Sequence, residues 1–443
     1  MPDLHGAAAD IGDLAQRVAA LIGDRLLDPP LGRTATPREM QSALAGCITP
    51  EGLGIERSWE VFERSVLANT IGIDGERFLA FIPSSPAASA AWIDAVVGAT
   101  CMPAESWMEA SGAVAAENQV LDLLASLVGL PPSAGGCFIS GGSIGNLSAL
   151  AVARDQRPSR RVVAVADTVH ASVANTLHLL GLEPLTIATA EDGRFTASAL
   201  RSELRGRGDV GTIVASAGST NAGVIDDLDG LADVAAEIDA WFHVDAAYGG
   251  AVLLLPEFRE RLRGMSRADS FIIDPHKWLF APSGSCALLY REPELARAVH
   301  TQRGPYIDIF RADGDEWNPA DFGFQLTRRA SGIPLWFSLV LHGTRTFESN
   351  IRAGIELARL AAESLADTRH VSLVMEPELS VVLFRRDGWG RDEWRRWARR
   401  LLDEGIAFVA PTTWRGEPVG RLVFMHPLTS PELVFKIVST LSG

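Results

Sequence analysis

From about residue 91 to about residue 300 the chain repeats one unit: a short apolar run without polar alternation, then a stretch with helical spacing. The runs fall at 136–139, 161–165, 211–215, 241–244, 270–273 and 286–290. A strand that is apolar at successive positions turns both faces toward apolar surroundings, and amphipathic helices between the strands supply the cover. The pattern predicts an α/β fold with a mostly parallel central sheet. In such sheets ligands gather at the carboxyl ends of the strands.

The flanks read differently. Residues 1–90 form a helical arm segment, with helical spacing over 11–18 and 58–62 and a break at Pro29-Pro30. The large domain spans 91–343. Within it, 301–327 carries glycine, proline and acid with little periodicity, as a lid or binding loop does. Residues 344–443 form a small α+β domain, in which an apolar run at 379–384, a charged helix over 392–402 and a second run at 421–424 alternate.

Bulk properties narrow the partners. A formal charge of −15 argues against nucleic acid, because neutralising phosphates needs a basic surface. No apolar stretch reaches the roughly 18 residues of a membrane span, and the start lacks the basic-then-apolar pattern of a signal peptide. Cys47, Cys101, Cys137 and Cys286 are too scattered for a zinc site or a disulfide framework. These features fit a cytoplasmic protein without a structural metal.

Of 40 basic residues only Lys277 and Lys436 are lysine. Lysine forms a Schiff base with an aldehyde; arginine stays protonated and cannot. Lys277 follows an apolar run, in Asp274-Pro275-His276-Lys277-Trp278. Three other features also sit at predicted carboxyl ends of strands. Ser140-Gly141-Gly142-Ser143 opens a helix, where free N–H groups and the positive dipole end suit a phosphate. A plain turn capped by Ser143 fits it as well. His170 precedes a helix that Ser172 would cap; a lone histidine there is more often structural. Asp245 ends a strand among small residues and needs a partner, either a salt bridge or cap, or a cationic ring nitrogen.

An imine-forming amine, a carboxylate for a protonated heteroaromatic nitrogen and a helix start for a phosphate converge on one ligand, pyridoxal 5′-phosphate. With these residues, the chain from about residue 76 onward resembles the group II pyridoxal-phosphate-dependent amino-acid decarboxylases, which include aromatic-amino-acid and glutamate decarboxylases. Residues 77–85, Ser140 to Ser143, His170-Ala171-Ser172, Gly218-Ser219-Thr220, His243 to Gly250, Asp274 to Trp278 and Leu335-Trp336-Phe337 carry the resemblance, in order and spacing.

The resemblance implies the aspartate-aminotransferase-like fold type I, a homodimer with active sites at the subunit interface, and decarboxylation of an L-amino acid to its amine through a Lys277 Schiff base and a quinonoid. It implies that Asp245 pairs with the ring nitrogen, His170 stacks over the ring, and Ala247 packs on the other face. Gly142 and Ser143 would hold the phosphate, and Thr220 would contact the ring. His276 would meet substrate or lid, Phe81 and Ile82 would line the side-chain pocket, and Arg421 would meet substrate or brace the site.

Two departures stand out. The lid tyrosine that protonates the intermediate in relatives has no match: the three tyrosines are Tyr248, Tyr290 and Tyr306, and Pro319, with Trp317 nearby, falls at its place. Its loss in relatives diverts the reaction to oxygen and gives an aldehyde. Glu105 falls where aromatic-specific relatives place an apolar pocket residue of the partner subunit, and there would favour a polar or cationic substrate; a solvated Glu105 is the alternative. Oxidative deamination, transamination and a non-catalytic cofactor-binding relative are the other readings.

Overall fold

The computed structural model describes residues 9–307 and 316–442. The first residues, read above for a signal peptide, and 308–315 of the candidate lid lie outside the described residues. The central sheet has seven strands: β1 (Gly135–Ile139), β2 (Val162–Ala166), β3 (Glu183–Ile187), β4 (Val210–Ser216), β5 (Trp241–Asp245), β6 (Ser270–Ile273) and β7 (Cys286–Tyr290). Their order is β1-β7-β6-β5-β4-β2-β3, and only β7 runs against its neighbours. The six apolar runs are six of these strands. Alternate residues feed opposite cores: β2 sends Val162, Ala164 and Ala166 to one and Val163 and Val165 to the other.

The seventh strand, β3, has no apolar run. It lies on the sheet edge beside β2, with Glu183 and Pro184 exposed and Ile187 buried. An edge strand needs little apolar surface, and proline is tolerated where no outer neighbour wants its N–H.

A second, antiparallel sheet is built from β8 (Val371–Leu373), β9 (Val381–Arg386), β10 (Thr412–Trp414) and β11 (Glu417–Val423), in the order β10-β11-β9-β8. The charged helix Arg391–Asp403 packs Trp394, Trp397 and Leu401 into its core. The N-terminal helix Ala9–Leu27 stops just before Pro29-Pro30. Further on, the 77–79 segment joins the small layer: Leu79 N–H donates to Phe408 O (2.9 Å) and Val423 N–H to Leu79 O (3.1 Å). No helix among the described residues is long and apolar enough to cross a membrane.

One buried ion pair fixes the segment that follows the candidate lid. Arg328 donates to both oxygens of Glu117 on helix Trp107–Val128 (2.5 and 3.2 Å), and Gly332 N–H donates to the same carboxylate (2.8 Å). Both side chains are almost wholly buried. Removing one partner strands the other charge. Glu117→Ala is expected to cost about 3–5 kcal/mol in denaturant unfolding. The paired change Glu117→Leu with Arg328→Met should recover more than half of that.

Candidate active site

Every chemical feature at the strand ends meets in one cavity of about 350 Å³. Its wall includes Gly142 and Ser143 after β1, His170 after β2, Thr220 after β4, Asp245 and Ala247 at the end of β5, and His276 and Lys277 after β6. A second, outer cavity carries Phe81, Ile82 and Arg421. His170, Thr220 and Lys277 line both cavities, so they mark the junction.

The cavity floor is a helix start without a protein cap. Helix Gly142–Gln156 follows Gly141, whose φ of 154° is a glycine conformation, and among the described residues no side chain caps it. Ser143 therefore does not cap the turn. Gly141 O accepts from Ile144 and Gly145, which leaves the N–H groups of Gly142 and Ser143 available to an anion. Close approach also requires the glycines. A Cβ on Gly142 would sit 2.8 Å from Asp274 Oδ2, and one on Gly145 2.7 Å from Ile272 of β6.

One residue of this helix, Asn146, ties β5 to the helix start after β2. Its Nδ2 donates to Asp245 Oδ2 (3.0 Å) and to Ser172 Oγ (3.0 Å), and its Oδ1 faces His243 Nε2 (2.9 Å). Because an amide oxygen only accepts, His243 must carry its proton on Nε2 and accept from Ser270 Oγ through Nδ1 (2.8 Å). Burial pulls the His243 pKa down to about 4, despite the Asp245 charge, which keeps this tautomer neutral. Asp245 also accepts from Ala247 N–H (3.1 Å). No cation of the described residues lies within ion-pair distance of Asp245, a buried carboxylate held by neutral donors alone.

His170 is itself the helix cap that Ser172 was expected to be. Its Nδ1 accepts from Ser172 N–H (3.2 Å) and contacts Ser172 Oγ (2.8 Å), so in the neutral ring the proton is on Nε2. Lys277 Nζ lies 3.1 Å from Asp274 Oδ2. Burial works against its ammonium, but the charges of Asp274 and Asp245 outweigh that and raise its pKa above the ordinary lysine value. His276 Nδ1 donates to Ser285 O (2.5 Å).

In the outer cavity Arg421 is 4% exposed, yet among the described residues its bonds go only to backbone carbonyls, of Asn221, Thr220 and Phe81 (3.1, 2.6 and 2.8 Å). Burial lowers its pKa to about 10, so it remains charged at neutral pH. Phe81 holds a left-handed φ of 53°. Glu105 lines neither cavity of its own chain; its carboxylate accepts from Ala104 N–H and its carbonyl from Ala320 N–H. Near the lid, Trp317 stacks on Phe322 at 4.1 Å and donates to Gly136 O, and Pro319 is buried. Tyr306 is 75% exposed.

The residues present fit pyridoxal phosphate on structural grounds: an uncapped helix start for the phosphate, a buried carboxylate without a cation for the ring nitrogen, and a lysine in the same cavity. The family model of the pyridoxal-dependent decarboxylase conserved domain matches residues 64–387. The chain belongs to this family.

An aromatic-L-amino-acid decarboxylase of Bacillus atrophaeus is 29% identical, over 98% of this chain and 95% of its own length. An L-2,4-diaminobutyrate decarboxylase of Rhizobium meliloti (strain 1021) is 31% identical, over 88% and 82%. The crystal structure of Oryza sativa TDC with PLP and tryptamine superposes with a TM-score of 0.93, at 23% identity and over 100% and 99% of the two chains, a likeness of fold. The fold is the type I arrangement, and the pyridoxal-dependent decarboxylase is a carboxy-lyase whose cofactor is pyridoxal phosphate.

Sequence reasoning missed Asn146 and Asp274. Asp274 carried the signal used for Asp245, an acid closing an apolar strand. Asn146 carried a fainter one, a polar residue one turn after Gly142 on a face otherwise of small residues. Asn146→Ala is expected to weaken pyridoxal-phosphate binding about 10–100-fold by loosening the hold on Asp245, as read by titrating cofactor-stripped protein.

Proposed function

We propose that this decarboxylase converts an L-amino acid to its amine at the junction of the two cavities, with Lys277 as the amine that carries the cofactor. The observation that carries the reading is that Lys277 and Asp245 share one cavity with an uncapped helix start. Bound there, pyridoxal phosphate supplies an aldehyde that condenses with amines and a ring that takes up the electron pair left when a bond to the α-carbon breaks. Gly142 and Ser143 hold its phosphate through their N–H groups. Asp245, fixed by Asn146 and Ala247 N–H, keeps a proton on its ring nitrogen. Ala247 would pack on the ring face opposite His170, and Thr220 and His276 border the site.

His170 holds the substrate carboxylate at the junction, with Nε2–H as its donor. The proton that replaces carbon dioxide on the α-carbon comes from a group at the same junction, His170 Nε2–H or the Lys277 ammonium. Phe81 and Ile82 receive the side chain, and Arg421 braces that wall through three carbonyls. Among the described residues the outer cavity is lined by no carboxylate, which favours an apolar or aromatic side chain over a cationic one. The reading includes a homodimer, in which a second copy would have to supply Glu105 for a cationic substrate to find a partner.

An aldehyde product is the second reading. What favours it is the place of the lid acid, taken by a buried Pro319 and a Trp317 committed to Phe322 and Gly136.

Borohydride reduction of the wild type should label the peptide holding Lys277; a label on Lys436 would reject the assignment. Lys277→Ala should lose turnover by on the order of 10³-fold or more, and His170→Gln by about 10²–10⁴-fold with the Lys277 label intact. Amine, aldehyde and hydrogen peroxide are to be assayed together. Stoichiometric amine without peroxide supports the first reading, and peroxide in step with aldehyde supports the second.

A further inference from the structure

The cavity holds one anionic group more than the chemistry above uses. Asp274 follows β6 directly under the first turn of helix Gly142–Gln156 and is 2% exposed. Its Oδ2 contacts Lys277 Nζ at 3.1 Å and approaches the Gly142 backbone so closely that a Cβ there would lie 2.8 Å away. Among the described residues its Oδ1 is buried with no nitrogen or oxygen partner.

The groups around it come from four elements. On its own turn are Lys277 and His276, whose Nε2 is 3.8 Å from Oδ2. From β7 comes Cys286, a thiol that burial, with the Asp274 charge, pushes well up and keeps neutral. From β5 comes Asp245, which shares the cavity and acts on Lys277 as a second negative charge. The helix contributes Gly142, Ser143 and Asn146, which bring N–H groups and neutral side chains only. Lys277 is thus the one cation of the described residues in ion-pair contact with Asp274 apart from an imidazole at longer range.

On the reading above, the same helix start takes a phosphate. Two anions would then face one helix start and one ammonium, and that ammonium must become a neutral amine before it attacks an aldehyde. A second anion at the same helix start disfavours the ionised form of the first. We propose that Asp274 is the proton acceptor of Lys277 during cofactor loading: as a phosphate settles on Gly142 and Ser143, the proton on Lys277 Nζ passes to Asp274 Oδ2. The balance closes inside the pair. An N–H bond breaks on Lys277, an O–H bond forms on Asp274, and the products are a neutral amine and a neutral carboxylic acid. The acid has an O–H to donate to the phosphate, whereas a carboxylate could only accept.

This inference rests on the cofactor assignment, and its test separates the two. Cofactor-stripped enzyme is titrated with pyridoxal phosphate by calorimetry, in buffers of different ionisation enthalpy, to count protons. Wild type is expected to retain one more proton per cofactor than Asp274→Asn. By linkage, the ratio of variant to wild-type affinity then rises about tenfold per pH unit. Infrared difference spectra on loading should show a protonated-carboxyl C=O band in wild type that Asp274→Asn lacks. Asp274→Ser repeats the measurement should the Asn variant fold poorly. Equal proton counts in wild type and variants, or no carboxyl band, overturn the proposal. If borohydride labelling finds no cofactor on Lys277 in wild type, the cofactor assignment falls first and takes the proposal with it.

Discussion

Two buried carboxylates and one buried ammonium at the ends of two neighbouring strands set the terms for everything around them. A buried charge without compensation is very costly, and here the protein's own charges do not cancel. Asp274 takes Lys277. Asp245 is left with an amide and a backbone N–H. On the opposite side of the balance stands a helix start with its positive end uncapped. A ligand with a cationic ring and an anionic tail answers both deficits at once, which is the physical content of the cofactor assignment.

The fold delivers these groups through one helix face. Gly142 and Gly145 let helix Gly142–Gln156 lie directly on β6. That contact brings Asn146 to β5, where it joins Asp245 and His243, and to the helix start after β2, where it joins Ser172. His243 has to be neutral to donate to one neighbour and accept from another, and its burial ensures this. Arg421 plays a matching part from the small layer, since β11 reaches back to carbonyls at 81, 220 and 221.

Much of the fold was legible because six strands are apolar on both faces and buried. The edge strand β3 was not: half-exposed, with Glu183 and Pro184, it obeys weaker compositional rules. That Lys277, Asp245 and His170 would gather at one end of the sheet was legible, because each follows an apolar run. The caps were not legible. Ser143 and Ser172 have the right residue type for a cap, but in one case a glycine leaves the helix start open and in the other a histidine does the capping. A propensity cannot reveal which of two adjacent polar residues turns toward the N–H groups. Asn146 and Asp274 act through partners distant in sequence, so their roles emerge only once the strands are side by side.

The two cavities differ in what their walls can tolerate. The inner wall is fixed by glycines whose replacement would meet neighbouring atoms within 3 Å, and by a relay in which each polar group has an assigned partner. The outer wall includes Ala410 and Pro411, on the loop that leads into β10, and Thr412, the first residue of that strand. On the proposed reading, exchanging those side chains would alter the shape offered to a substrate while leaving the electrostatic balance at the strand ends untouched. Such a division makes the scaffold evolvable: new specificities are open to it by drift along one rim, without ever passing through a form that has lost its chemistry.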